Sequence, residues 1–119
     1  MKDFREIKAW EKAHALTLAV YRATACFPRG ELFGLTSQLR RACASVPANI
    51  AEGCGRGSDG ELRRFLEIAT GSASETEYHR LLARDLRYLP LASYDNLNDR
   101  VVEVKRMLSA FIKKLKADR

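Results

Sequence analysis

Two short stretches carry the residue types of a metal centre. Glu75-Thr76-Glu77-Tyr78-His79 gathers two carboxylates and an imidazole, and Glu11 precedes His14 by three positions. Carboxylate-bridged metal sites in helical bundles use two Glu-x-x-His motifs plus a glutamate from each of two further helices, because the i, i+3 spacing aims both ligands inward. Here Thr76 stands three residues before His79, and Glu11-x-x-His14 is a single copy lying off the nearest apolar stripe. The spacing therefore predicts no metal centre. Gly53-Cys54-Gly55-Arg56-Gly57 has the glycines of a phosphate loop but neither its lysine nor a preceding strand. It reads as an interhelical turn. Cys26, Cys43 and Cys54 are odd in number and fall in helical patterns, and no motif supplies the base a catalytic thiol needs. They read as reduced, mostly buried apolar residues. The residues thus nominate no catalytic group, metal or cofactor, and point to a non-enzymatic protein.

Charge is the remaining chemical signal. The 119 residues include 21 Lys and Arg against 15 Asp and Glu, a net charge of +6. Such an excess attracts nucleic acid through long-range electrostatics. Interspersed acidic residues also allow a plainer reading, in which the charge only solvates the surface. No apolar run approaches the ~20 residues of a membrane span, and the start, Met1-Lys2-Asp3-Phe4, lacks a signal peptide's apolar stretch. A cytoplasmic protein without a membrane partner is expected.

The elements that would position these residues are four helices in one domain over 1–119. Pro28-Arg29-Gly30, the four glycines between Gly53 and Gly60, and Leu89-Pro90 punctuate the chain. The first helix is expected from about Ile7 to Cys26, with a stripe of Trp10, Ala13, Thr17, Val20, Thr24 and Phe27 and with Trp10 as a core anchor. The second spans Leu35 to Cys54, striped by Leu35, Leu39, Ala42, Val46, Ile50 and Gly53. Pro47 lies inside it, and the stripe continues in register, which favours a kink over a helix end. Ser58-Asp59-Gly60-Glu61 matches a capping box, opening a third helix that runs to about Tyr88. A fourth begins near Ser93 and keeps apolar spacing through Leu97, Val101, Val104, Leu108, Phe111 and Leu115. Val102, Met107 and Ile112 lie off that seam, and some of them are expected to face another subunit. An all-α, antiparallel up-down-up-down four-helix bundle follows.

Beside the apolar stripe of the second helix runs a polar one: Gln38, Arg41, Ser45, Asn49 and Glu52. Ser45 and Asn49 stand near the carbonyls that Pro47 leaves unpaired, and Arg41 can reach toward Glu75 on the third helix. One reading is a hydrogen-bonded network that sets helix register. The other is a subunit interface or an anion-binding surface.

The residues Phe4, Trp10, Ala13, Phe27-Pro28, Phe33-Gly34-Leu35-Thr36-Ser37-Gln38-Leu39-Arg40-Arg41-Ala42, Ser45-Val46-Pro47-Ala48-Asn49-Ile50-Ala51-Glu52-Gly53, Phe65-Leu66, Gly71-Ser72 and Glu75 together resemble a bacterial family. It is the four-helix-bundle family of the ribosomal RNA intervening-sequence type. The resemblance implies a homopentamer and no known reaction. A related group is similar to the accessory protein of diversity-generating retroelements, a basic pentamer that associates with a reverse transcriptase and nucleic acid. A pentamer of this chain would carry about +30. The expected role is a homo-oligomeric bundle that binds RNA or a nucleoprotein partner through Arg40, Arg56, Arg63, Arg64 and Arg87, named from charge and expected exposure. A structural or protein-interaction scaffold with no nucleic-acid role is the alternative.

Overall fold

The computed structural model describes residues 3–117; Met1, Lys2 and the last two residues of the expected 1–119 domain lie outside the described residues. Helices α1 (Lys8–Thr24), α2 (Leu35–Cys54), α3 (Asp59–Asp85) and α4 (Leu91–Ala117) run antiparallel in succession, and no strand occurs among the described residues. Each helix packs on its neighbours in sequence, and α4 closes back on α1. The bundle measures 47 × 23 × 20 Å. Its length is set by α3 and α4, each of 27 residues, or about 40 Å at 1.5 Å per residue.

The apolar stripes meet in a single core. Every stripe residue expected on α2 is buried, and Cys43, Pro47 and Cys54 join them. The breadth of that buried face follows from packing, since the α2–α3 interface is the most extensive between helices of the bundle. On α4, Leu97, Val101, Val104, Leu108 and Leu115 are buried, while Phe111 is half-buried. The α1 stripe is turned from the expected one: Ala9, Ala13, Leu16, Val20 and Thr24 face inward. Trp10 is accordingly only half-buried. It packs against the edge of the core within an aromatic ladder, edge-on to Phe4 at 5.0 Å and stacked on His14 at 5.0 Å.

Pro47 does not end α2. Its missing N–H frees the Cys43 carbonyl, and the Thr17 hydroxyl of α1 lies 3.4 Å from that oxygen while donating to Ala13 O at 2.9 Å. The neighbouring helix, not Ser45 or Asn49, approaches the freed carbonyl. The Cys43 thiol also reaches Thr17 Oγ1, at 3.6 Å. Burial pushes this thiol up to about 11, against the smaller opposing effect of the Thr17 contact. Of the three cysteines, Cys43 and Cys54 are buried and Cys26 is exposed.

Helix ends show where local signals were complete. Ser58 Oγ accepts from Glu61 N at 3.2 Å, but the Glu61 carboxylate turns outward to Arg64 at 3.1 Å; that guanidinium holds the carboxyl below its ordinary value. Helix α4 starts at Leu91, two residues before Ser93, because the Pro90 carbonyl already accepts from Tyr94 N at 2.9 Å. Helix α3 stops at Asp85, short of Tyr88. Tyr88 N donates to Ala83 O and Arg87 N to Arg84 O, both at 2.9 Å, a Schellman closure with Arg87 in the left-handed position at φ 64°.

The two connections at that end of the bundle are tied together. Tyr88 Oη donates to Glu31 Oε2 at 3.0 Å, and its ring lies 5.7 Å from Phe27. The other oxygen of Glu31 accepts from Leu35 N at 3.0 Å. It thereby supplies the cap that Gly34, lacking a side chain, cannot provide.

Candidate nucleic-acid interface

The five arginines expected to contact nucleic acid fall in different settings. Arg40, on α2, is half-buried against α1. Its Nε donates to Thr24 Oγ1 at 2.8 Å, and its guanidinium lies 4.6 Å from the Tyr21 ring centroid. Arg56 and Arg64 flank the turn between α2 and α3 and both lie over the Phe65 ring, at 5.0 and 4.6 Å. Each is paired, Arg56 with Glu52 at 2.8 Å and Arg64 with Glu61 at 3.1 Å. Arg63 is half-buried and Arg87 exposed, and neither has an ion pair or side-chain hydrogen bond among the described residues. Arg87 lies at the bundle end opposite Arg56, Arg63 and Arg64, so the five do not form one patch.

The polar stripe of α2 divides in the same way. Asn49 Nδ2 donates to Ser45 O at 2.7 Å and to Ser45 Oγ at 2.8 Å, and Ser72 of α3 donates to Ser45 Oγ at 3.0 Å. This cross-helix cluster joins Ser45 and Asn49 and adds Ser72. Glu52 is engaged with Arg56. Gln38 and Arg41 are exposed, and Arg41 does not pair with Glu75, whose carboxylate lies 3.3 Å from His79 Nε2. The i, i+4 geometry on one helix brings that pair together.

Sequence reasoning missed the most unusual polar group in the bundle. Arg80 of α3 is only 6% exposed. Nη1 donates to Asn98 Oδ1 at 2.6 Å and Nη2 to Tyr94 Oη at 3.0 Å, both on α4. The Tyr94 ring centroid is 4.1 Å from its guanidinium carbon. No carboxylate lies within ion-pair distance among the described residues, and Nε is buried without a partner. Arg84, one turn later, also donates to Tyr94 Oη, at 3.3 Å. Burial of a guanidinium contradicts the usual exposure of arginine, so charge patterning along α3 gave no hint of it. The one available signal was position: Thr76, His79 (also buried, with Nδ1 unpartnered), Arg80 and Ala83 continue the apolar stripe at three-four spacing.

The off-seam residues Val102, Met107 and Ile112 pack in part on their own chain's core. The large apolar side chains left exposed are others, among them Leu18, Tyr21, Ile68, Tyr78 and, at the end where α1 meets α2 and α3 meets α4, Leu32, Phe33, Leu86 and Leu91.

No group of three or more potential metal ligands occurs among the described residues. None of their helices is long and apolar enough to cross a membrane. The architecture defines an up-down four-helix bundle with a continuous apolar core and a basic net charge. More specifically, the chain belongs to the 23S rRNA-intervening sequence protein family, whose model matches residues 5–110. Among solved structures, it is similar to a protein of unknown function from the S23 ribosomal protein family of Bacteroides thetaiotaomicron. The TM-score is 0.81 at 24% identity, over 88% of this chain and 95% of that one. That likeness concerns the fold. No curated protein matches the chain.

Proposed function

We propose that this protein is a non-enzymatic, homo-oligomeric helical bundle, assembling as a pentamer, that binds RNA through basic surface residues. The observation that carries the reading is charge: a surplus of +6, with Arg63 and Arg87 left without an acidic partner among the described residues. Family membership supports it through the association of the family's name with ribosomal RNA intervening sequences. The exposed apolar side chains of the helix faces, among them Leu18, Ile68 and Tyr78, support burial against a partner.

A second reading, a protein-interaction scaffold, is favoured by the pairing of Arg56 and Arg64 with Glu52 and Glu61. Those charges serve solubility as readily as recognition. Light scattering with and without a mixed RNA pool separates the two. A mass near five chains that rises with RNA, and an affinity that falls steeply between about 50 and 200 mM salt, is the expected result. A salt-independent affinity would refute a phosphate-driven mechanism. An assembly indifferent to RNA would favour the scaffold, and a monomer would refute the oligomer.

A further inference from the structure

Where the end of α1 meets the start of α2 there is a cleft of about 180 Å³, lined by Thr24, Pro28, Arg29, Leu32, Thr36 and Arg40 among others. Two of these residues are cationic and none of the lining residues is acidic. That composition stands apart from the turn between α2 and α3, where Arg56 and Arg64 are each paired with a carboxylate, Glu52 and Glu61. Glu31, in the same connection, is already committed to Leu35 N and Tyr88 Oη.

The cleft is preorganised. Thr24 Oγ1 donates to Val20 O at 2.8 Å and accepts from Arg40 Nε at 2.8 Å. The Tyr21 ring stacks on the guanidinium at 4.6 Å. These contacts fix the fork of Arg40 while leaving Nη1 without a partner among the described residues. Arg29 and the hydroxyl of Thr36 likewise have none. A planar fork, a second guanidinium and a hydroxyl in an acid-free cleft match the donors that phosphate oxygens recruit. The space suffices for several waters at about 30 Å³ each, and hence for one phosphate group.

Next to the cleft-lining Leu32 stands Phe33, 95% exposed and the most exposed aromatic ring among the described residues. Its exposure is not that of a loose loop. Leu32 N donates to Arg29 O at 3.1 Å, Gly34 N to Glu31 O at 2.9 Å, and Gln38 N to Gly34 O at 3.0 Å. An apolar ring held in water on a pinned turn forgoes burial that aromatic side chains normally gain. Beside a cleft whose donors suit phosphate, a bare π-face offers a stacking platform for an unpaired base.

We propose that this corner binds single-stranded RNA, with a phosphate in the Arg29–Arg40 cleft and a base on Phe33. The inference rests on the RNA-binding reading above and gives it a location and a strand preference.

The test uses the full chain. Anisotropy of a labelled single-stranded RNA of about 12 nucleotides, and of the same sequence as a duplex, is measured beside amide NMR shifts on titration with inorganic phosphate. Arg29→Gln and Arg40→Gln are expected to weaken both single-stranded RNA and phosphate, roughly tenfold each for RNA, and to lower the salt slope by about one. Phe33→Ala is expected to weaken single-stranded RNA about tenfold, leaving phosphate shifts and duplex affinity unchanged. Arg106→Gln, which removes one charge from an exposed site on α4, should behave as the unmodified chain. Because Arg40 also clamps α1 to α2, Arg29→Gln, in an exposed turn, keeps the test decisive should Arg40→Gln fail to fold. RNA bound normally by Arg29→Gln and Phe33→Ala would overturn the proposal while sparing the RNA reading. Phosphate shifts lost in Arg29→Gln in a protein that binds no RNA would sink the RNA reading and leave a phosphate site. Preference for the duplex would overturn the base platform.

Discussion

Replacing Tyr94 by phenylalanine isolates the energetics of the buried Arg80. The substitution deletes one oxygen, which accepts from Arg80 Nη2 at 3.0 Å and Arg84 Nη1 at 3.3 Å. It keeps the ring, so the cation–π contact at 4.1 Å survives. Arg84 has 43% of its side chain exposed and can turn to water, so its loss is at most a few tenths of a kcal/mol. Arg80 cannot. Its Nη2 would join Nε as a second buried donor without a partner, and hydrogen bonds to charged groups are worth about 1.5–3 kcal/mol. A loss of about 2 kcal/mol follows. With an unfolding entropy of about 2.1 cal/mol/K per residue, the melting temperature should fall by about 8 °C. Urea unfolding and thermal melts of Tyr94→Phe, Arg84→Ala and the double variant measure this, the double variant losing little more than Tyr94→Phe. Arg80→Met is the critical contrast, because it removes the buried charge together with its desolvation cost. It should be near neutral or stabilising. If Arg80→Met costs more than Tyr94→Phe, or Tyr94→Phe costs less than about 0.5 kcal/mol, a buried guanidinium that depends on the Tyr94 oxygen is the wrong description.

Three further outcomes are expected. Gly53→Ala would place a Cβ 2.9 Å from Phe65 Cβ and 3.0 Å from Leu62 Cδ1; overpacking of about 1–3 kcal/mol should outweigh the roughly 0.8 kcal/mol gained in helix propensity, a net loss of about 1 kcal/mol in urea unfolding. Arg87→Gly relieves a side chain held at φ 64° and should stabilise by about 0.5–1 kcal/mol, raising the urea midpoint at unchanged slope. Alkylation at pH 8 should modify Cys26 quickly and Cys43 only after unfolding, since Cys43 is buried and its thiol is pushed up to about 11. The sign for stability is that of a raised acid: the folded state holds the Cys43 proton longer, so stability declines as pH rises above 9.0, the thiol's ordinary value, toward 11. A Cys43→Ala variant should lose that part of the alkaline slope.

The bundle was legible because its information is local and repetitive. Leu35, Leu39, Ala42, Val46, Ile50 and Gly53 all face the core as their three-four spacing required, and the Ser58 cap lies where its motif placed it. Continuity of the stripe across Pro47 was also a sound guide, since burial on both sides of the proline outweighs one lost backbone bond. The candidate site was less legible. The identity of Arg40 as a cation is written in the chain, but its clamp on Thr24 and Tyr21, 16 and 19 residues away, depends on how α1 is rotated against α2. That rotation also leaves Trp10 half-buried at the edge of the core and brings Leu16 in.

Residue type and spacing alone therefore determined four helices, their order, the family and the positive charge. These depend on backbone propensity, hydrophobic period and composition, which act over a few residues. Tertiary structure alone decided which charges are neutralised and which stand free. It paired Arg56 and Arg64 with nearby carboxylates, buried Arg80 without one, and left Phe33 in water beside the Arg29–Arg40 cleft. Electrostatic environment and exposure depend on distances between helices, and no local pattern encodes those distances.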